Sequence, residues 1–367
     1  MISPGTVTVL VAVMVIAWLG FARQRRVPVT GGRPVARRRW AGVGLLLLAL
    51  LSTTTTAAAG VNASFAYLPR VGDVATLVDG KGPWPVLTWA DLARPDPGAH
   101  PRGGVLTLPV PDDGTGLGAS SALVWLPPQY LREPTRRFPV LYLLHGSPGV
   151  PQDWLRGGRL ADTAEALAAR GLPAIVVVPR VSRGWLDDPE CVDGVHERVE
   201  THLLRTVVPL VDARLRTRAS RDGRAIGGMS AGGYCALNLG LKHRNDFGTV
   251  LDLSGLTAPT HLGGLSRLYG PDTSRAAADT PLTYATALPK EPGMRVWLDV
   301  GRSDDEVRPG IEALAPVLTG RGFDVVLRVR PGRHTFDVWR PALAEAMAWA
   351  LPAMETSTTG TGPGVAS

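Results

Sequence analysis

Uninterrupted apolar runs alternate with stretches of helical periodicity over the C-terminal two thirds of the chain. Continuous rather than alternating hydrophobicity is typical of strands that helices cover on both faces. Strands that alternate with helices predict an α/β protein with a mostly parallel sheet and right-handed crossovers. The predicted strands are 121–126, 138–144, 173–178, 224–229, 247–254, 294–300 and 324–329, and the predicted helices are 160–170, 196–214, 231–242, 306–320 and 338–351.

Several stretches depart from this alternation and suggest the domain limits. Residues 61–118 are irregular and rich in Gly, Pro and Asp, which predicts a connector with peripheral strands. Two prolines follow the run at 121–126, so we expect that strand at an edge of the sheet. Residues 256–292 lack strand character and form either a lid or a surface insertion. The small-residue segment 353–367 predicts a disordered tail, which leaves 119–352 as the α/β domain.

Two apolar segments within residues 1–60 flank a basic loop. They cover about 6–21 and 41–60, and their lengths predict two membrane spans. Seven arginines and no acidic residue lie between them, and without these arginines the net charge of +7 becomes a balance of 32 basic and 32 acidic residues. The basic excess therefore indicates membrane topology and argues against a nucleic-acid partner. The positive-inside rule places the arginine loop in the cytoplasm and the large domain outside.

The second apolar segment has an alternative interpretation as the core of a signal peptide. Its small residues at 57–59 offer a cleavage site near Ala59, after which the domain would be secreted rather than anchored in the cell membrane. Both interpretations place the large domain outside the cytoplasm. In that compartment Cys191 and Cys235 are candidates for a disulfide across one rim of the sheet, and two unrelated thiols are the alternative.

The most informative motif is Gly228-x-Ser230-x-Gly232, which lies between a predicted strand and a predicted helix. This strand-turn-helix context predicts a nucleophile elbow, in which a strained turn exposes the serine hydroxyl. Glycines flank the serine because a β-carbon there would collide with the neighbouring strand and helix. The sequence therefore predicts Ser230 as a catalytic nucleophile.

A nucleophilic serine needs a base, and the base needs an acid that holds its tautomer. His334 lies in the loop after the last predicted strand, where it can meet an elbow serine at the carboxyl edge of the sheet. The acid is expected after the preceding strand, which favours Asp304 and leaves Asp305 as the alternative. Asp252 and Asp299 fall inside strands and remain further candidates. The order serine, acid, histidine is that of the α/β-hydrolases.

The oxyanion of such a reaction needs preorganised backbone donors. The amide of Ala231 follows the nucleophile directly. The second donor is expected in the glycine-rich turn after the strand at 138–144, with Ser147 as the favoured residue.

Four segments carry a family resemblance: FPVLYLLHGSPG, IGGMSAGGYCALNLGLKHRNDFG, GRSDDE and PGRHTFDVWR. With them the sequence from about 123 to 351 resembles the esterase family of α/β-hydrolases, which includes esterase D-type enzymes, enterochelin-type esterases and the antigen 85 mycolyltransferases. The resemblance implies a serine hydrolase or acyltransferase with the triad named above and with no metal or cofactor. Apolar segments before such a domain are similar to those of membrane-attached actinobacterial members.

These features together predict a membrane-anchored, extracytoplasmic serine esterase that acts on carboxylic esters through an acyl-enzyme. The expected partners are an ester substrate, a lipid or cell-envelope glycan that carries the ester, and the membrane itself. Two alternatives stay open. One is acyl transfer to a sugar or envelope lipid in place of water, and the other is a catalytically silent envelope-binding module.

Overall fold

Two units make up the chain, Met1–Lys81 and Gly82–Ser367. The computed structural model describes residues 4–26, 35–67, 82, 84–290 and 293–356. The centre of the predicted arginine loop, 27–34, lies outside the described residues.

The described part of the first unit consists of two helices, α1 (Pro4–Arg26) and α2 (Val35–Phe65). They pack against each other, and Trp18 Nε1 donates a hydrogen bond to Thr53 Oγ1 at 2.9 Å. The serine and threonine hydroxyls at 52–56 of α2 donate to carbonyl oxygens three or four residues earlier, as Thr56 Oγ1 does to Ser52 O at 2.7 Å. This internal bonding satisfies these hydroxyls within the helix itself.

One stretch within the described residues, Trp40–Gly60, is long and apolar enough to cross a membrane. A signal sequence has the same length and composition, so the stretch fits both interpretations of the second apolar segment. The apolar stretch of α1, Val9–Arg23, is shorter. The first predicted span therefore stays a prediction.

The second unit is built on one nine-stranded sheet. Its strands are β1 (Val86–Leu87), β2 (Gly104–Val110), β3 (Ser120–Leu126), β4 (Val140–Leu144), β5 (Ile175–Val178), β6 (Arg224–Met229), β7 (Thr249–Leu253), β8 (Arg295–Gly301) and β9 (Asp324–Arg330). The spatial order is β1-β2-β3-β5-β4-β6-β7-β8-β9. β3 runs antiparallel to β2 and β5, and β5, β4, β6, β7, β8 and β9 are parallel.

Helices connect these strands as the alternating pattern predicts. They are α3 (Trp89–Ala93), α4 (Pro128–Arg132), α5 (Gln152–Arg156), α6 (Leu160–Ala169), α7 (Val199–His202), α8 (Val208–Arg214), α9 (Ala231–Lys242), α10 (Ser266–Tyr269), α11 (Pro281–Tyr284), α12 (Arg308–Gly320) and α13 (Phe336–Thr356). A π-helical segment, Leu203–Val207, joins α7 to α8. Every residue of β4, β5, β6 and β7 is buried, which agrees with the continuous apolar runs of their sequences.

The prediction that the strand at 121–126 forms an edge of the sheet is wrong, because β3 lies between β2 and β5. Pro127 and Pro128 follow Leu126, the last residue of β3 that pairs with β2. The prolines therefore remove no hydrogen bond from either ladder. They end the strand, and Pro128 begins α4.

The sheet also extends past the predicted limits of the domain. β1 and β2 come from the region predicted as connector and peripheral strands, and they add to the sheet beyond β3. The sheet therefore starts at Val86 rather than after residue 119. At the other end α13 continues to Thr356, so the predicted tail begins too early, and residues 357–367 lie outside the described residues.

Candidate active site

The turn at Ser230 joins β6 to α9 and has the strained backbone of a nucleophile elbow. Ser230 has φ 55° and ψ −126°, a conformation that costs a non-glycine residue about 1–3 kcal/mol. A β-carbon at Gly228 would overlap the carbonyl oxygen of Gly232. One at Gly232 would overlap the carbonyl oxygen of Leu144, at the end of β4. The two glycines therefore allow the close approach of strand and helix that holds the serine in this turn.

Three of the predicted site residues meet through hydrogen bonds. Ser230 Oγ lies 2.8 Å from His334 Nε2, and His334 Nδ1 lies 2.7 Å from Asp304 Oδ2. The Asp304 side chain is 4% exposed, whereas that of His334 is 34% exposed. The imidazole ring packs edge to face against Trp339 of α13. This is the arrangement in which a base removes a serine proton while a buried acid holds its tautomer.

Backbone hydrogen bonds align the two loops that carry Asp304 and His334. Arg302 N donates to Arg330 O at 2.7 Å, and Ser303 N donates to Gly332 O at 2.9 Å. The loops follow β8 and β9, which are parallel neighbours and end at the same edge of the sheet. Residues that are far apart in sequence therefore meet at one point of that edge.

The other candidate acids lie elsewhere. The Asp305 side chain is 87% exposed, and its Oδ1 lies 3.8 Å from Arg308 Nη2. Asp299 forms an ion pair with Arg330 at 2.6 Å. Asp252 is buried and accepts a hydrogen bond from Gly255 N at 2.6 Å. The structure thus brings Asp304, and neither of the strand carboxyls, to His334.

Burial changes the protonation of the two strand carboxyls. It raises the pKa of Asp252 to about 8, and the charges of Asp299 and Asp304 act in the same direction. Burial also raises the pKa of Asp299, although the Arg330 guanidinium opposes this rise. Asp252 is therefore a neutral acid close to the triad at physiological pH.

The two predicted oxyanion donors are the main-chain amides of Ala231 and Ser147. Ala231 is the first residue of α9, so its N–H has no acceptor within the helix. The loop 145–149 passes so near that a β-carbon on Gly146 would lie 3.2 Å from Ser230 Cβ. Ser147 follows Gly146 in this loop, and its peptide bond to Pro148 is cis. The structure therefore brings the loop that carries Ser147 close to the nucleophile, and the donor roles of Ala231 and Ser147 stay predictions.

His145 fixes the start of the loop 145–149. Burial lowers the pKa of this histidine, so the ring is neutral. Its Nδ1 lies 2.9 Å from Gly146 O, and its Nε2 lies 3.4 Å from Val181 N. With the proton on Nδ1, the ring donates to Gly146 O and accepts from Val181 N.

The structure joins Cys191 and Cys235 by a disulfide, with the two Cα atoms 5.4 Å apart. Both residues are buried. The bond attaches the loop after β5 to the second turn of α9. It therefore links the nucleophile helix to a loop on the oxyanion side of the site.

A polar cluster that sequence reasoning missed anchors the segment 256–292 to α9. Lys242 Nζ donates to Asp279 Oδ1 at 2.8 Å, Asn238 Nδ2 donates to the same oxygen at 3.2 Å, and Tyr234 OH donates to Asp279 O at 2.6 Å. The three donors are spaced four residues apart and share one face of the helix. That spacing of polar residues in an apolar helix was a signal in the sequence, whereas nothing marked their partner.

A buried carboxyl, Glu190, and a half-buried one, Asp188, next to the oxyanion loop were also missed. Burial raises the pKa of Glu190 well above its usual range, and the neighbouring Asp188 charge adds to the rise. Thr260 donates to Glu190 Oε1 through its main-chain N at 2.9 Å and through its hydroxyl at 2.8 Å. These bonds attach the start of the segment 256–292 to the loop after β5. Within the described residues no group of three or more His, Cys, Asp or Glu side chains is arranged to hold a metal ion.

Comparisons with known proteins agree with this geometry. The family described as Putative esterase matches residues 119–350. An uncharacterised protein of Corynebacterium glutamicum is 30% identical over 250 residues, which are 65% of this chain and 58% of that protein. An acetyl esterase of Caldicellulosiruptor saccharolyticus is 29% identical over 229 residues, which are 57% of this chain and 82% of the esterase. The chain thus spans little more than half the length of the first relative.

Solved structures show the same fold. A ferulic acid esterase matches with a TM-score of 0.60 and 22% identity, and the match covers 68% of this chain and 97% of the esterase. At this identity the likeness concerns the fold alone. The family model matches more than half of the sequence, so the chain belongs to the Putative esterase family, a family of serine hydrolases with the α/β-hydrolase fold.

Proposed function

We propose that this protein hydrolyses carboxylic esters through an acyl-enzyme on Ser230. The observation that carries the proposal is the unbroken hydrogen-bonded chain from Ser230 Oγ to His334, at 2.8 Å, and from His334 to Asp304, at 2.7 Å. It occurs at a strained elbow serine in a chain of an esterase family.

In the first half of the reaction, Ser230 Oγ attacks the ester carbonyl and His334 Nε2 takes the hydroxyl proton. Asp304 accepts a hydrogen bond from His334 Nδ1–H, which keeps Nε2 free as the base and stabilises the imidazolium that forms. Because the Asp304 side chain is buried, water competes little for this hydrogen bond.

The tetrahedral intermediate carries its negative charge on the former carbonyl oxygen. The amides of Ala231 and Ser147 would donate to that oxygen, and the N-terminus of α9 adds a favourable dipole. The imidazolium of His334 then protonates the leaving alcohol. In the second half water attacks the acyl-enzyme, and the same histidine serves first as base and then as acid.

We further propose that the enzyme acts outside the cytoplasm and is attached to the membrane by the first unit. The apolar stretch Trp40–Gly60 supports attachment, and the basic residues before it support the orientation. The disulfide between Cys191 and Cys235 supports an oxidising compartment. Protease treatment of intact cells tests this placement, because a domain outside the cytoplasm is digested without lysis, and digestion only after lysis would refute it.

The catalytic proposal is tested with the full chain in detergent. Hydrolysis of 4-nitrophenyl acetate and labelling by a fluorophosphonate are compared for the parent, for Ser230→Ala and for Ser274→Ala, a change of an exposed serine outside the site. We expect the first variant to lose both signals and the second to keep them. Activity that survives in Ser230→Ala would refute the assigned nucleophile.

The same assay separates the alternatives. If the parent and both variants fold but show neither hydrolysis nor labelling, the result would favour a silent envelope-binding module. Addition of a sugar alcohol tests acyl transfer, because a transferase would form a new ester at the expense of free acid.

A further inference from the structure

An open cavity of about 530 Å³ adjoins the oxyanion loop, and neither Ser230 nor His334 belongs to its wall. We call it the arginine cavity. Its volume lies within the range of about 300–1,000 Å³ that is typical of small-ligand sites. Its polar wall residues are Ser120, Ser121, His145, Gln152, Arg180, Ser182, Arg183 and Trp185.

Two arginine side chains belong to the wall of the arginine cavity. The wall contains Arg180 and Arg183 and no acidic residue. Arg180 Nη2 donates to the carbonyl oxygens of Leu117 at 2.6 Å and Ala119 at 3.4 Å, and these neutral acceptors leave its charge uncompensated. Arg183 pairs with Glu197, which lies outside the wall. The carboxylates of Asp153 and Asp187 also lie beside the wall, where they accept hydrogen bonds from the main-chain amides of Val150 and Arg183. The Arg180 guanidinium is therefore the cationic group that faces hydroxyl and amide groups of the wall, a combination that suits phosphate or carboxylate oxygens.

The arginine cavity lies next to the loop 145–149, which also approaches the nucleophile. Gly149 lies in its wall, and a β-carbon on Gly149 would come within 2.5 Å of Gly146 O. Gly146 in turn contacts Ser230 on the other side. The Trp185 side chain lines the cavity, while the Trp185 carbonyl oxygen accepts a hydrogen bond from Gly149 N at 3.0 Å. The loop 145–149 thus borders both the arginine cavity, through His145 and Gly149, and the nucleophile, through Gly146.

We propose that the arginine cavity binds an anionic group, a carboxylate or a phosphate, of the ester substrate. The inference rests on the proposed esterase function and adds a class of substrate to it. The bound anion would orient the substrate while the distant ester reacts, so the interaction contributes to kcat/KM for anionic esters and not for neutral ones.

Two matched substrate pairs test the inference with the full chain in detergent. Mono-4-nitrophenyl adipate and 4-nitrophenyl hexanoate have the same chain length and differ by a carboxylate on the acyl part. The acetyl esters of glycerol 3-phosphate and of glycerol differ by a phosphate on the alcohol part. We expect kcat/KM to favour the anionic member of at least one pair by about tenfold, and we expect the preferred pair to identify the half that enters the cavity. Added salt should reduce the preference.

Three variants test whether that preference depends on the cavity. Arg180→Gln and Arg183→Gln should each bring the ratio of anionic to neutral kcat/KM towards one, mainly through KM. Arg170→Gln, which changes an exposed arginine after α6 and outside the cavity wall, should leave the ratio as in the parent. Since Arg180 also holds the loop before β3, Arg183→Gln keeps the test valid if Arg180→Gln fails to fold.

Equal kcat/KM within both pairs for the parent would overturn the inference, and so would a preference that survives both cavity substitutions. Its failure is distinct from a failure of the esterase proposal. In the first case the neutral esters are still hydrolysed and the hydrolysis depends on Ser230, whereas in the second case neither ester is hydrolysed.

Discussion

Replacement of the buried Asp252 by Asn is expected to stabilise the protein, by an amount that grows with pH. Asp252 is 0% exposed, and its Oδ1 accepts a hydrogen bond from Gly255 N at 2.6 Å. Its Oδ2 is buried without a hydrogen-bond partner. An asparagine has the same shape and offers an oxygen to Gly255, so the exchange reproduces the protonated acid without its ability to ionise.

The magnitude follows from the proton that the native state retains. Burial raises the pKa of Asp252 from 3.8 to about 8. Below pH 4 both the folded and the unfolded chain hold the proton, so the full stability is present. Between pH 4 and 8 the unfolded chain releases the proton while the folded chain keeps it, so stability falls by about 1.4 kcal/mol per pH unit. The parent should therefore lose about 3 kcal/mol relative to Asp252→Asn between pH 5 and pH 7.

Thermal unfolding of the full chain in detergent, followed by circular dichroism, measures this difference. For a domain of this size 1 kcal/mol corresponds to about 2–4 °C, so the gap in Tm should widen by about 6–12 °C from pH 5 to pH 7. The matched control is Asp305→Asn, because the Asp305 side chain is 87% exposed. Its Tm should follow that of the parent at every pH.

A constant gap in Tm between the parent and Asp252→Asn from pH 5 to pH 7 would refute the reasoning. It would mean that Asp252 is already ionised in the folded protein. A gap that narrows as pH rises would show that the folded protein stabilises the charged form.

The remaining predictions concern the triad, the elbow and the disulfide. Asp304→Asn should lower kcat for ester hydrolysis by about 10²–10⁴-fold, because the amide NH2 can donate to His334 Nδ1 and favour the wrong tautomer, and no carboxylate charge remains to stabilise the imidazolium. Asp305→Asn should change kcat less than twofold, and equal effects would contradict the assigned acid. Gly228→Ala should lower the free energy of unfolding by about 2–3 kcal/mol, since the new methyl group overlaps main-chain atoms of α9. An unchanged urea midpoint would contradict the close contact between β6 and α9 at this glycine. Joint replacement of Cys191 and Cys235 by serine should lower the free energy of unfolding in urea by about 4 kcal/mol, because the bond closes a loop of 44 residues in the unfolded chain. A decrease below 1 kcal/mol would show that the bond constrains the unfolded chain little.

The sequence alone determined the class of fold, and it indicated two members of the site together with the loop that carries the third. Uninterrupted apolar strands separated by amphipathic helices specify a parallel sheet, because only strands covered on both faces are apolar throughout. The glycines around Ser230 specify the elbow, since close packing there excludes a β-carbon. His334 and an acid in the preceding loop follow from topology, because neighbouring parallel strands deliver their following loops to one edge.

Tertiary structure decided the features that depend on side-chain direction and on partners distant in sequence. Asp304 and Asp305 are adjacent in the chain, yet one is buried against the imidazole and the other faces solvent, because the turn after β8 directs them oppositely. The arginine cavity combines residues from β3, the oxyanion loop and the loop after β5, which no local pattern brings together. The internal position of β3 likewise depends on its pairing with β2 on one side and β5 on the other, which the apolar run of β3 does not reveal by itself. A local sequence pattern indicates whether a residue is buried, whereas its neighbours in space depend on the assembly of the whole sheet.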